Sequence, residues 1–381
     1  MIEPGSTIGI LGSGQLGRML AIAGRHLGYR FHVYSPDADS PAHSVVDKAW
    51  VGGYNDSQLL AQFGDAVDVV TFEFENVSAA AAEVLREHTN VRPSGKVLAI
   101  CQDRIKEKSF IQNLDIPVPS FREVNSLEAL LTSADDLGCP FVLKSTRMGY
   151  DGKGQTKVVS RDDCHRAWEL LKAGSPCIAE AFVDYEREAS LIIARNPSGD
   201  LTTYPVFEND HCERHILDVT SVPARISSEQ QQVIDRIGDT LATALDLEGL
   251  LTVELFVLKD GSIAVNELAP RVHNSGHLTI EGSPVSQFEQ QIRAICDLPL
   301  VGATIALPIA MSNLLGDLWE GGTPAIEPVL ANERAALHLY GKHSARAGRK
   351  MGHITVIGES AETAAREARE LRDRFDSRSV S

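Results

Sequence analysis

Residues 248–277 read EGLLTVELFVLKDGSIAVNELAPRVHNSGH, and the pattern predicts a β-hairpin. Two apolar, β-branched-rich runs, Leu251–Leu258 and Ile263–Leu268, flank Lys259-Asp260-Gly261-Ser262. Asp-Gly supplies the positive φ angles of a two-residue hairpin loop. With Asp260 and Gly261 central, Lys259 faces Ser262, Leu258 faces Ile263 and Glu254 faces Glu267. The two carboxylates are then expected on one face with Cβ atoms roughly 4.5–5.5 Å apart, where like charges repel. A divalent cation between them turns that repulsion into a binding site, and Mg²⁺ takes one or two carboxylates plus nucleotide phosphates. The other reading is a surface hairpin with two solvated glutamates, the usual fate of Glu. Asn266 adjoins Glu267, and the chain leaves through the polar run Arg271-Val272-His273-Asn274-Ser275-Gly276-His277. Loops placed in this way often carry chemistry.

A chain of 381 residues is long enough for two or three domains with real cores. Its net charge of -16, from 36 basic and 52 acidic residues, argues against nucleic-acid binding and for a self-repelling surface. Anionic ligands then need locally concentrated Lys and Arg. The six cysteines form no CxxC pair, which predicts buried thiols in a reducing compartment. The N-terminus has no basic run ahead of an apolar stretch, so no signal peptide is expected. Leu298–Leu315 is apolar enough to resemble a membrane span, but Pro299, Gly302, Pro308, Ser312 and Asn313 interrupt it. It is expected as buried strand, and the chain as cytoplasmic with no membrane partner.

Upstream, a strand over residues 6–14 feeds a helix from Gln15, and Gly12, Gly14 and Gly17 spell G-x-G-x-x-G. A second strand ends near Asp37, about twenty residues on, the spacing of a dinucleotide fingerprint. Either the motif binds NAD, or its glycines serve only a tight turn and helix packing. Thr71-Phe72-Glu73-Phe74-Glu75-Asn76 ends a third strand, where ligands sit in open α/β sheets. Further on, strands Phe141–Lys144 and Gln155–Val159 bracket a loop with Gly149, Gly152 and Gly154, carrying Tyr150, Asp151 and Lys153. It lacks the Gly-Lys-Ser/Thr of a Walker A loop. A glycine-rich hairpin tip can still lay N–H groups and a lysine over phosphates, or be a routine turn. Near the end, Arg346–His353 predicts a basic loop before a strand at Ile354–Ile357, and Ala361–Phe375 a closing amphipathic helix.

The order of these parts resembles the ATP-grasp superfamily. GSGQLGRM, TFEFENV, GYDGKGQ, NELAPRVHNSGH, LYGK and GRKMGH, collinear from Gly9 to His353, resemble the N5-carboxyaminoimidazole ribonucleotide synthetase family of purine biosynthesis. The resemblance implies an ATP-grasp fold of α/β class in three units: a Rossmann-like unit at 1–99, an ATP-grasp unit at 100–300 and a small β-rich unit at 301–381. It also implies a homodimer. The implied reaction joins bicarbonate to 5-aminoimidazole ribonucleotide at the expense of ATP, through carboxyphosphate.

Carried over to this chain, the resemblance gives ATP to Arg104, Lys144, Gly149 to Gln155 (with Tyr150, Asp151, Gly152, Lys153 and Gly154), Glu180, Ala181, Phe182, Val183, Glu188, His211, Asn266 and Glu267. Mg²⁺ falls to Glu254 and Glu267. The ribonucleotide falls to Gln15, Glu73, Arg271, His273, Lys342 and Arg349, with Tyr150 and Asp151. Arg271, His273, Tyr150, Asp151 and Lys153 are the implied catalytic set. Two positions depart from the family pattern. Ala269 stands where many ATP-grasp enzymes place an Asn, and Met148 where this family often has a Gly. A dehydrogenase built on Gly12–Gly17 would need no Glu254/Glu267 pair, and a nucleotide sensor would bind ATP without substrate-dependent phosphate release.

Overall fold

The computed structural model describes residues 1–147, 149, 154–171, 176–302 and 304–375. Strands Thr7–Leu11 (β1), Arg30–Ser35 (β2), Lys48–Val51 (β3), Val69–Phe72 (β4) and Asn90–Val91 (β5) pair all-parallel in the order β3-β2-β1-β4-β5. β1 and β4 are buried at every residue, as parallel strands covered on both faces must be. Leu60, Phe63, Ala82 and Leu85 cover one face, and the helix Gln15–His26 covers the other.

The glycine-rich turn after β1 does not stand open. Gly12 has φ +104, and a Cβ there would come within 2.3 Å of Glu73 Cγ. The Glu73 carboxylate accepts from the backbone N–H of Gly14 and, at 2.7 Å, of Gly17. The helix N-terminus therefore already holds acceptor oxygens of the chain's own. Of the two readings of the motif, the turn-and-packing reading describes what the glycines do here.

Phe121–Val124 (β6), Phe141–Ser145 (β7), Gln155–Val158 (β8) and Cys177–Ala181 (β9) form a smaller antiparallel sheet, order β6-β9-β7-β8. The helix Leu127–Leu137 seals it with Leu130 and Ala134; Ser126 caps that helix through Ala129 N–H.

The largest sheet holds Tyr185–Arg195 (β10), Leu201–Thr203 (β11), Phe207–His211 (β12), Leu217–Val222 (β13), Gly249–Leu258 (β14), Ile263–Ala269 (β15), Ile309–Leu315 (β16), Ala335–Leu339 (β17) and Lys350–Ile357 (β18). Its order is β15-β14-β10-β12-β13-β16-β18-β17, with β11 beside β10. The C-terminal strands thus continue the sheet that carries the hairpin. Along β14, Leu251, Val253, Leu255 and Val257 point into a core closed by Ile234, Ile237 and Leu241 of the helix Ser228–Ala244. Period-two alternation turns Glu254 and Phe256 to the other face.

The hairpin departs from the expected register near its turn. Val257, not Leu258, faces Ile263, because the loop has three residues, Lys259 to Gly261, closed by Leu258 N–H to Ser262 O at 2.9 Å. Gly261 takes φ +86, and the Asp260 side chain accepts from Ser262 N–H, as in the loop type ending on a left-handed residue. A bulge then skips Asn266 and restores the predicted pairing of Glu254 with Glu267.

Two further expectations need correction. Among the described residues of Leu298–Leu315 only Ile309–Leu315 is strand, and Leu307 is 56% exposed. The prolines and glycine that break a membrane span also break a strand. Among the described residues no helix is long and apolar enough to cross a membrane. The basic segment at 346–353 is only half loop: Lys350 to His353 belong to β18, paired with β16 and β17. Of the cysteines, Cys101, Cys164, Cys177 and Cys296 are buried, Cys212 is half-buried and Cys139 is exposed.

Candidate active site

A cleft of about 700 Å³ opens between the small sheet, the hairpin face of the large sheet and the loops after β1 and β4. It collects Gln15, Arg104, Lys144, Gly149, Gln155 and Glu180 from the first half of the chain, then Ala181, Phe182, Val183, Glu188 and His211. Glu254, Asn266, Glu267, Arg271 and His273 come from the hairpin and its exit. Tyr150, Asp151, Gly152 and Lys153 lie outside the described residues. Gly154 is described, and its carbonyl accepts from Ser145 N–H at 2.8 Å, closing the base of that loop.

The paired carboxylates are each held by a cationic or imidazole partner. Arg104 Nη1 donates to Glu267 at 2.8 Å, and His273 Nε2 lies 3.0 Å from Glu254. Burial works against ionisation of Glu254, but the hydrogen bond and charge of His273 hold its carboxyl down at about 2. Burial likewise opposes the charge on Arg104, and Glu267 with Glu107 more than compensates, raising it. Glu254 is therefore anionic, and both carboxyl groups are aimed into the cleft. Among the described residues no group of three His, Cys, Asp or Glu is placed to hold a metal, and Ala269 offers no side-chain donor. Two carboxylates without a third fit Mg²⁺, which keeps waters and phosphate oxygens in its remaining positions.

Around this pair Arg104, Lys144 and Arg271 come from a helix, the small sheet and the exit of the hairpin. Lys144 Nζ donates to Glu180 at 2.7 Å, so the Glu180 side chain serves the lysine, while Ala181, Phe182 and Val183 continue the cleft wall at the strand end. Tyr185 and Phe256 stack beside them, ring centroids 4.8 Å apart and planes at 12°. Glu188 bonds to His211 Nδ1. Burial pulls His211 down, but that bond and charge carry it above the ordinary histidine value. Arg271 Nε donates to Glu75, and its Nη1 to Val272 O at 3.0 Å. Burial opposes the Glu75 charge, and Arg271 overcomes it, holding the carboxyl below its usual range.

Glu73, Lys342 and Arg349 do not line the cleft. Glu73 is turned into the glycine turn; Lys342 Nζ donates to Lys350 O at 2.5 Å, and Arg349 Nη1 to Ser344 O at 2.6 Å. Lys350 does line it, as do Glu75, Tyr185 and Phe256, none of which the sequence reading selected. Phe256 was legible as two residues from Glu254 on a strand, hence on the same face. Glu75 stands in TFEFEN and Lys350 in GRKMGH, but only the fold shows which side chains of those runs turn inward.

Comparison with known proteins fits this layout. The ribonucleotide synthetase preATP-grasp domain family matches residues 5–102, the ATP-grasp domain family residues 109–288, and the phosphoribosylaminoimidazole carboxylase C-terminal domain family residues 309–367. N5-carboxyaminoimidazole ribonucleotide synthase of Brucella melitensis is 44% identical over 359 residues, covering 93% of this chain and 97% of that one. The Bacillus subtilis protein of the same name is 41% identical, covering 94% and 93%. A bifunctional purine synthesis protein of Dictyostelium discoideum is 42% identical over 93% of this chain, which spans 37% of that longer protein. The ADP complex of an N5-carboxyaminoimidazole ribonucleotide synthetase superposes with a TM-score of 0.93 at 41% identity, covering 98% and 99%. The Aspergillus clavatus enzyme in complex with ADP and 5-aminoimidazole ribonucleotide superposes at 0.89 and 33% identity, covering 97% and 98%. With three domain families matched in order and full-length relatives at this identity, the chain belongs to the N5-carboxyaminoimidazole ribonucleotide synthase family of ATP-grasp ligases.

Proposed function

We propose that the chain carboxylates 5-aminoimidazole ribonucleotide with bicarbonate, cleaving ATP to ADP and phosphate. The observation that carries this is the Glu254/Glu267 carboxyl pair, opposed across one ladder in a cleft that also presents Arg104, Lys144 and Arg271. A dehydrogenase reading has no use for that pair, and the glycine turn that would serve it is filled by Glu73.

In this reading the adenine lies at Ala181 to Val183, against Tyr185 and Phe256, with the ribose at Glu188. Glu254 and Glu267 would hold the Mg²⁺ of the nucleotide, which when bound neutralises charge on its phosphate oxygens. A bicarbonate oxygen attacks the γ-phosphorus and the bond to ADP breaks, giving carboxyphosphate. Lys144 and Arg271 meet the charge that develops in this step, worth most where water is excluded. Carboxyphosphate releases phosphate and CO₂; the ribonucleotide's amine bonds to that carbon and loses a proton. Gln15, Arg271 and His273, which share this cleft, are assigned to the ribonucleotide in the same reading. Lys342 and Arg349 are assigned to its phosphate, which asks them to leave the Lys350 and Ser344 carbonyls. Loop residues Tyr150, Asp151 and Lys153 complete the catalytic set. The division at residues 99 and 300, a homodimer and a cytoplasmic setting belong to the same reading.

The test is ATP cleavage with each co-substrate omitted. Phosphate release that needs both bicarbonate and the aminoimidazole ribonucleotide supports the assignment; release indifferent to the ribonucleotide contradicts it.

A further inference from the structure

Lys108 sits on the helix Arg104–Gln112, and its side chain is fully buried. A buried lysine is costly unless its charge and donors are used. Here Nζ donates to the backbone carbonyl of Asn266 at 2.9 Å and lies 3.6 Å from Glu180. Asn266 is the residue that the hairpin bulge skips: Leu255 pairs with Val265, and Glu254 with Glu267. If the register near the turn ran on unbroken, Glu254 would face Asn266. Glu267 would then turn to the opposite face, as every side chain does on a one-residue slip.

β15 is the edge of its sheet, so its outward backbone groups need partners beyond the ladder. One short segment supplies them. Leu268 N–H donates to Glu107 at 2.7 Å, Val265 N–H to Pro117 O at 2.8 Å, and the Asn266 carbonyl receives Lys108. Of these three bonds, only the lysine's falls on the bulged residue itself.

We propose that Lys108 is a positioning residue: by holding the Asn266 carbonyl it fixes the bulge that brings Glu267 opposite Glu254, and so sets the geometry of the divalent-cation site. The inference rests on the nucleotide–metal reading of the cleft. It assigns Lys108 no contact with any substrate.

Mn²⁺ titration of the ADP-saturated full-length protein, read by the EPR signal of the free ion, is compared with ADP titration by calorimetry in EDTA. The variants are K108M and K108R, with E267Q as the reference for a damaged site. The expected result is a selective loss. In K108M, Mn²⁺ affinity falls at least about tenfold, towards that of E267Q, while metal-free ADP affinity stays within about threefold of wild type. K108R keeps N–H donors beside Glu180 but replaces a point donor by a wider planar fork. It shows the same selectivity with at least about a threefold loss of Mn²⁺ affinity, and decides the matter should K108M not fold. Wild-type Mn²⁺ affinity in either folded variant overturns the proposal. So does a loss falling equally on metal-free ADP, which would mean that Lys108 acts through Glu180 and Lys144. A wild-type protein that binds ADP but no Mn²⁺ refutes the metal reading itself and this inference with it.

Discussion

Replacing Glu75 by glutamine keeps the size of a side chain that Arg271 grips and removes its charge. The two side chains are 20% and 15% exposed, buried enough for the pair to act as more than a surface ion pair. At an effective dielectric constant of about 20, unit charges about 4 Å apart attract by about 4 kcal/mol. Glutamine keeps an acceptor for one guanidinium N–H and recovers part of that, so the net loss of stability should be about 2–3 kcal/mol at pH 7. The pH dependence has a definite sign. Arg271 depresses the Glu75 carboxyl below its ordinary value of 4.5. The stabilisation is therefore complete above that value and disappears as pH falls through the lower folded-state value. Urea unfolding of wild type and Glu75→Gln, taken from pH 7 down to pH 3, measures the gap directly. The gap should be flat well above 4.5 and shrink as pH falls below that value. A difference under about 0.5 kcal/mol at pH 7, or one that ignores pH, would refute the reasoning.

Glu267→Gln should reduce turnover by at least about a hundredfold even at saturating Mg²⁺, because half of a two-carboxylate site is gone; near-normal turnover there counts against the metal reading. Gly12→Ala should destabilise the chain by about 2–4 kcal/mol in urea, since φ is +104 and the new Cβ would strike Glu73 Cγ at 2.3 Å. The same variant should leave ADP affinity unchanged, and a matched loss of ADP binding would place the turn in the nucleotide site. Arg349→Ala should raise KM for the ribonucleotide about ten- to a hundredfold and leave that for ATP alone; steady-state kinetics with each substrate varied in turn distinguishes this from a solvated arginine.

The opposition of Glu254 and Glu267 was legible because period-two alternation and an Asp-Gly turn are local signals. It held by compensation. The loop has three residues rather than two, and the bulge at Asn266 makes up the difference. Neither Lys108 nor Pro117, which brace that bulge, has any mark in sequence, since both lie some 150 residues away and act through space. The glycine turn shows the same limit. Gly12, Gly14 and Gly17 announce a helix N-terminus ready for an anion, but nothing in their neighbourhood announces that Glu73 fills it. Glu75 and Lys350 were missed because a motif gives residue types and not side-chain directions. The stretch before β16 misled for a different reason: composition read it as buried, while Pro299 and Pro308 deny it a ladder.

The claim at the centre of this account is that ATP cleavage in the Glu254/Glu267 cleft is coupled to carboxylation of the ribonucleotide. Incubation with γ-¹⁸O-free ATP and [¹⁸O]bicarbonate tests it most directly, by mass analysis of the phosphate released. Attack by a bicarbonate oxygen on the γ-phosphorus predicts that phosphate carries one ¹⁸O per turnover, and only when 5-aminoimidazole ribonucleotide is present at a rate matching product formation. Unlabelled phosphate released at that same rate would contradict the account, because water rather than bicarbonate would then be the nucleophile.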